Sequence, residues 1–173
     1  GSFESKLVLQ TTGEDKIKGV QFIRSAWEER GETHVMPPGF WTSIDTDPSE
    51  NAVGELPWEQ EVLQDDIKVY VYRHAGQLSP SAAIVIREVN DTFWILELAG
   101  GSQKGHGKQA MILLKELAFM GRNHWRFIAL EAMGGASLDG NGAKLVRRYK
   151  NRAFQECGDV PTRKDRSKTV WNK

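Results

Sequence analysis

The sequence predicts one α/β domain with a central mixed, mostly antiparallel sheet of about six or seven strands and helices on both faces. Three observations predict it. Ile67 to Tyr72 (IKVYVY) alternates strictly, and Ala82 to Val89 (AAIVIREV) is a second β-branched run. Thr92 to Gly101 (TFWILELAGG) is a nearly unbroken apolar stretch, as expected of a strand covered on both faces. The connections between these runs, Gly76 to Ser81 and Asn90-Asp91, are too short for crossover helices, so the three form an antiparallel meander. That argues against a doubly wound parallel sheet.

Before the meander, Lys6 to Gln10 (KLVLQ) reads as a first strand. Thr12 then caps a helix whose first turn carries Asp15, favourable to the helix dipole. Ile17, Val20, Ile23 or Arg24, and Trp27 share one face of that helix until Gly31 stops it. Residues 32–66 are broken by Pro37-Pro38-Gly39 and Thr46-Asp47-Pro48, with a short helix after Pro57 carrying Trp58, Val62 and Leu63. His34, Met36, Phe40 and Trp41 either pin this long segment to the core or form a lid over a ligand. After the meander, Ala110, Met111, Leu114, Leu117 and Ala118 make one helical stripe from about 107 to 120, stopped by Gly121. Arg126 to Ala132 (RFIALEA) comes next as a buried strand, and a helix is expected at about 140–151.

The chemistry concentrates where the apolar strand enters that helix through Ser102-Gln103-Lys104-Gly105-His106-Gly107-Lys108. Such a turn gathers unpaired backbone N–H groups at the positive end of a helix, and glycines let an anion approach closely. A Walker turn is a poor match, because Ser102 replaces its first glycine and Gln109 its metal-binding hydroxyl. A dinucleotide turn is met by Gly105, Gly107 and Ala110, with Glu131 near the ribose-acid spacing, but the chain that remains is too short for its βαβ series. The stretch also resembles the [QR]-x-x-G-x-G/A acyl-coenzyme A turn of the GNAT N-acetyltransferases, with Ser102 in place of Gln or Arg. Downstream, RRYKNRAF resembles that family's LYEKxGF segment, with Tyr149 and Phe154 at the same spacing and Ala153 replacing the glycine.

The resemblance implies a GNAT-like fold in which the strand before the turn and the one after its helix start parallel and then splay apart. It implies acetyl-coenzyme A as cosubstrate, held by Gln103, Lys104, Gly105, His106, Gly107 and Lys108 at the turn. The pantetheine arm would pair with Leu98, Ala99 and Gly100 within a splayed segment Leu96 to Gly100, opposite Ile128 to Ala132. Asn141, which the resemblance implies as a cofactor contact, falls near, not on, the family's asparagine upstream of the tyrosine segment. Tyr149 is implied as the acid that protonates the departing thiolate, against a plain packing role. Glu97 and Glu131 compete as the base, and either could instead be a buried structural carboxylate. The variable segment 32–66 would belong to the acceptor side. The activity implied is acetyl transfer to an amine on a small molecule, a protein or an aminoacyl-tRNA, and a homodimer is compatible with it. Alternatives are a catalytically degenerate GNAT-fold binding module and a dinucleotide-binding protein.

Composition sets outer bounds. With 173 residues, 39% hydrophobic and 27% charged, the chain is an ordinary globular domain, and Gly1-Ser2 resembles a cleavage remnant, leaving 3–173 as the domain. No apolar run reaches membrane-spanning length and no leader is evident, so a cytoplasmic protein is expected. Cys157 is the only cysteine, which forbids an internal disulfide and suits a reducing compartment. No His, Cys, Asp or Glu cluster has metal-ligand spacing. The zero net charge is uneven: residues 1–66 carry five Lys/Arg against fourteen Asp/Glu, while residues 144–173 carry ten against three. That basic end reads as a solvated helix face and tail, or as an attractor for cofactor phosphate or RNA.

If Tyr149 is the acid, Tyr149→Phe keeps the ring and removes only the proton donor. Turnover should then fall by roughly 100-fold or more with acetyl-coenzyme A affinity little changed. A stability loss of about 1 kcal/mol with intact turnover would assign it to packing instead.

Overall fold

A computed structural model of the chain describes residues 6–29, 56–89, 92–101, 108–114, 127–131, 155–157 and 168–172. In chain order they form β1 (Lys6–Leu9), α1 (Gly13–Glu29), α2 (Trp58–Glu61), β2 (Ile67–Arg73), β3 (Ala82–Val89) and β4 (Thr92–Gly100). A helix at 108–114, here α3, then leads to β5 (Phe127–Glu131), β6 (Gln155–Cys157) and β7 (Lys168–Asn172). The seven strands make one sheet in the order β1-β2-β3-β4-β5-β7-β6. Only β4 and β5 run parallel; every other neighbouring pair is antiparallel. The mixed, mostly antiparallel architecture expected from the short connections is therefore the one observed.

Helices cover both faces because the strands carry apolar side chains in both directions. On one face α1 packs Val20, Ile23 and Ala26 onto Ile67, Val69, Val71, Ala83, Val85 and Ala99, with Val62 filling in after α2. The approach is close: a Cβ at Gly19 would lie 2.6 Å from a Val69 methyl, so only glycine permits it. On the other face Ala110, Met111 and Leu114 of α3 cover Tyr72, Ile84, Ile86, Phe93, Ile95, Ile128 and Leu130. Tyr72, polar by the alternation of β2, is fully buried there, its hydroxyl 3.1 Å from His74 Nδ1. Burying a tyrosine ring requires such a partner for its hydroxyl.

Local signals behave as physics requires. Thr12 Oγ1 accepts the Asp15 amide at 3.1 Å, the N-cap expected of it. Pro57 precedes α2 at φ −63°, and Val62 is buried while Leu63 stays half exposed. The β2–β3 connection turns at Gly76, whose φ of +79° favours glycine. Cross-strand ion pairs, Lys68–Glu88 at 2.9 Å and Arg87–Asp66 at 2.8 Å, edge the β2–β3 pair.

The C-terminal part departs from expectation. The sequence reading places no strand beyond residue 132, yet 155–157 and 168–172 are strands. At these two stretches the expected tail is corrected to strand: β7 lies in the sheet between β5 and β6, with Ala129 opposite Val170 and Glu131 opposite Lys168. Two short strands among many Lys and Arg residues produce no apolar run, so pattern alone passes over them. The expected turn at Asn90-Asp91, the helix at 140–151 and most of the segment 32–66 lie outside the described residues.

Two groups at the sheet pull alkaline stability in opposite directions. Burial, and then the Glu88 carboxylate, raises Tyr70 above its ordinary 10.0, so the folded protein keeps that proton longer than the unfolded chain and loses stability as pH climbs past 10. Burial lowers Lys16 below 10.5 against the opposing pull of Asp65 and Asp66, so its effect has the reverse sign between the folded value and 10.5. In Tyr70→Phe, the tyrosinate absorbance that disappears should be the component titrating above pH 10, and the fall in denaturation midpoint above pH 10 should shrink. A missing component that titrates below pH 10 would contradict the burial of this hydroxyl.

Candidate active site

The site begins with one irregularity in β4. Along the β3–β4 ladder, Val85 sits opposite Glu97 but the next residue, Ile86, sits opposite Ile95. Leu96 is the extra residue, a β-bulge that re-aims the strand beyond it. Ile95 belongs to the α3-side core, and strict alternation would send Leu96 to the α1 side and Glu97 back among the apolar residues under α3. With the bulge, Leu96 packs on the α1-side core and Glu97 also meets α1. Leu98 then returns to the α3 side and Ala99 to the α1 side.

The parallel ladder ends at the same place. β4 pairs with β5 from Thr92–Phe127 to Ile95–Leu130 and no further among the described residues. Leu98, Ala99 and Gly100 therefore lie on β4 beyond the end of its pairing with β5, as the splay requires. On β5 the expected splay partner Ile128 to Ala132 is still paired from Ile128 to Leu130, and among the described residues Glu131 alone lies past the ladder. Glu97 is the second residue past the end on β4 and Glu131 the first on β5, so the backbone brings both candidate bases to the fork.

Glu97 is buried, its side chain only 1% exposed. Arg24 Nη2 of α1 donates to Glu97 Oε1 at 3.3 Å. The Arg24 guanidinium lies 5.5 Å from the centroid of Trp27 and 5.4 Å from that of Trp58. One arginine thus joins α1, α2 and β4, with the quadrupoles of two indoles adding to the ion pair. In the sequence, Arg24 stands out only as an alternative to Ile23 on a helix stripe. The available signal is a lone carboxylate in the apolar run of β4, which needs a cation when buried.

At the C-terminal end of β4, the Gly101 amide donates to Ser81 O at 2.8 Å, and Lys108, exposed, opens α3. A cavity of about 530 Å³ opens here between α1 and the β2–β3 connection, lined by Phe22, Glu29, Leu78, Ser81 and Gly101 among others. Gln103, Lys104, Gly105, His106, Gly107, Asn141 and Tyr149 lie outside the described residues, as do His34, Phe40 and Trp41. Among the described residues no group of His, Cys, Asp or Glu is arranged to hold a metal ion, and no helix is long and apolar enough to cross a membrane.

No protein-family model and no curated protein sequence matches the chain. Solved structures do match it in fold. An acetyltransferase of the GNAT family from Listeria monocytogenes superposes with a TM-score of 0.59 at 13% identity, covering 96% of this chain and 95% of that one. The PaiA N-acetyltransferase from Thermoplasma acidophilum, solved with coenzyme A, gives 0.55 at 11% identity, covering 97% and 99%. FeeM, an N-acyl amino acid synthase from uncultured soil microbes, gives 0.57 at 8% identity, covering 98% and 91%. In fold, the chain is a GNAT domain.

Proposed function

We propose that the protein is an acyl-coenzyme A-dependent N-acetyltransferase that moves an acetyl group directly from the thioester to an amine. The observation that carries this reading is the coincidence of the β4 bulge with the end of the β4–β5 ladder, on the strand that the glycine-rich stretch follows in sequence. A strand segment that runs on past its partner offers backbone groups to an extended amide ligand, and the pantetheine arm is one. The turn at Gln103 to Lys108 suits the diphosphate, and a neighbour in fold was solved with coenzyme A.

The chain's own residues take three tasks. Glu97 or Glu131, at the fork, accepts a proton from the incoming ammonium, directly or through one water. The free amine attacks the thioester carbonyl, and backbone N–H groups of β4 past the ladder meet the developing oxyanion. As the C–S bond breaks, Tyr149 protonates the sulfur and regains a proton as the nitrogen of the new amide sheds its second one. Ammonium plus acetyl thioester become amide, thiol and one released proton. The acceptor is an amine on a small molecule, a protein or an aminoacyl-tRNA, and the lone Cys157 accords with a cytoplasmic setting. Ser102 and Ala153, which depart from the family pattern, favour the rival reading of a binding module that has kept only the architecture.

Calorimetry separates the two. Acetyl-coenzyme A should bind the wild type at micromolar to millimolar levels. Gly107→Glu, which sets a carboxylate against the diphosphate, should abolish binding with circular dichroism unchanged. No heat from the wild type at millimolar ligand would favour the module, and unchanged affinity in Gly107→Glu would move the ligand away from the turn.

A further inference from the structure

Acyl transfer at the fork makes no use of the cavity between α1 and the β2–β3 connection. We propose that this cavity is a second binding site, for a small organic ammonium whose carbon body lies against Phe22 and Leu78 and whose charge meets Glu29. Such a site goes beyond the acyl-transfer reading and stands without it.

At about 530 Å³ the cavity has the size of a small-molecule site. Its apolar wall comes from Phe22 and Ala26 of α1 and from Leu78 and Pro80 of the connection, with Leu78 93% exposed. The connection is bonded so as to keep that leucine outside the core. Arg73 Nε donates to Leu78 O at 2.9 Å, Gln77 N to His74 O at 3.0 Å, and Ser81 Oγ to Gln77 Oε1 at 3.1 Å. A carbon body seated on Leu78 and Phe22 takes their surface out of water. Ser25 and Ser79 add hydroxyls that accept from an ammonium N–H. Glu29 is the one charged side chain in the described lining.

Charge selects the ligand. The last turn of α1 carries Glu28 and Glu29 and no basic residue, although the helix dipole favours a cation there. Among the described residues no ion pair includes either glutamate. The cations of the neighbouring elements are engaged elsewhere. Arg24 donates to Glu97 at 3.3 Å, Lys16 to Gln64 O at 3.0 Å, and Arg73 to Leu78 O. Lys18 pairs with Glu14, Lys68 with Glu88 and Arg87 with Asp66, while His74 meets the Tyr72 hydroxyl. An ammonium in the cavity supplies the charge that Glu29 and the helix end both lack, and an anion is repelled by both. Neither Glu97 nor Leu98 is in the described lining, and Gly101, which is, lies about 13 Å along the chain from Glu97. The cavity is thus a place apart from the fork.

The test is an NMR titration of the whole chain with 2-phenylethylammonium, with no acetyl-coenzyme A present. Amides within 22–29 and 77–81 and that of Gly101 should shift and saturate at millimolar probe. The alcohol 2-phenylethanol, with the same body and no charge, should bind about two- to fivefold more weakly, and 3-phenylpropanoate, with the charge reversed, more weakly still. Glu29→Gln should erase the preference for the amine over the alcohol. Leu78→Ser should weaken amine and alcohol alike by about threefold or more. Both side chains are exposed, so circular dichroism should be unchanged in either variant. Shifts confined to Leu96 to Leu98 and Glu131 would place the amine at the fork and overturn the assignment. No saturable shift at tens of millimolar, or a preference for the amine that survives Glu29→Gln, would overturn it as well.

Discussion

A single extra residue in β4, Leu96, governs the geometry of everything around it. An antiparallel ladder cannot absorb an odd residue without turning the strand, and the turn falls where β4 stops pairing with β5. Without it the Glu97 side chain would enter the apolar layer under α3, among Ile84, Phe93, Ile95 and Leu130, where the described residues offer a carboxylate no cation. With it the charge is delivered to α1, at the point where the described β4–β5 pairing ends. Packing and site formation are one event here.

The second constraint is that α1 and α2 are fastened to that bulge by one cation. Removing one partner of a buried pair costs on the order of 3–5 kcal/mol, a large share of the stability of a domain this size. Each indole contact adds about 0.5–2 kcal/mol depending on its exposure. Helix α1 and the short helix α2 are thus held to β4 at its bulge. Gly19 serves the same end, since its missing side chain lets α1 lie against Val69.

Much of the fold was legible because its signals are local. The alternation of Ile67 to Tyr72, the cap at Thr12 and the apolar run from Phe93 onward depend on few long-range facts, and each appears where expected. What escaped the sequence is what depends on partners far along the chain. β7 is a strand because β5 and β6 flank it, and its own residues Lys168 to Asn172 carry little pattern. Tyr72 reads as a polar position until α3 covers it. The bulge cannot be read from TFWILEL, because only the register against Val85 and Ile86 reveals which residue is extra. The candidate site was half legible: Glu97, Leu98, Ala99 and Gly100 were placed by resemblance, while Arg24, Trp27 and Trp58 converge on Glu97 from two helices distant in the chain.

Hydrogen–deuterium exchange on the whole chain, with and without acetyl-coenzyme A, tests the central claim most directly. If the segment of β4 beyond the ladder receives the pantetheine arm, amides within Leu96 to Gly100 that do not donate to β3 should exchange roughly tenfold or more slowly with ligand. Amides from Thr92 to Ile95, already paired on both sides, should be unchanged. Equal exchange across Leu96 to Gly100 at saturating acetyl-coenzyme A would contradict the account.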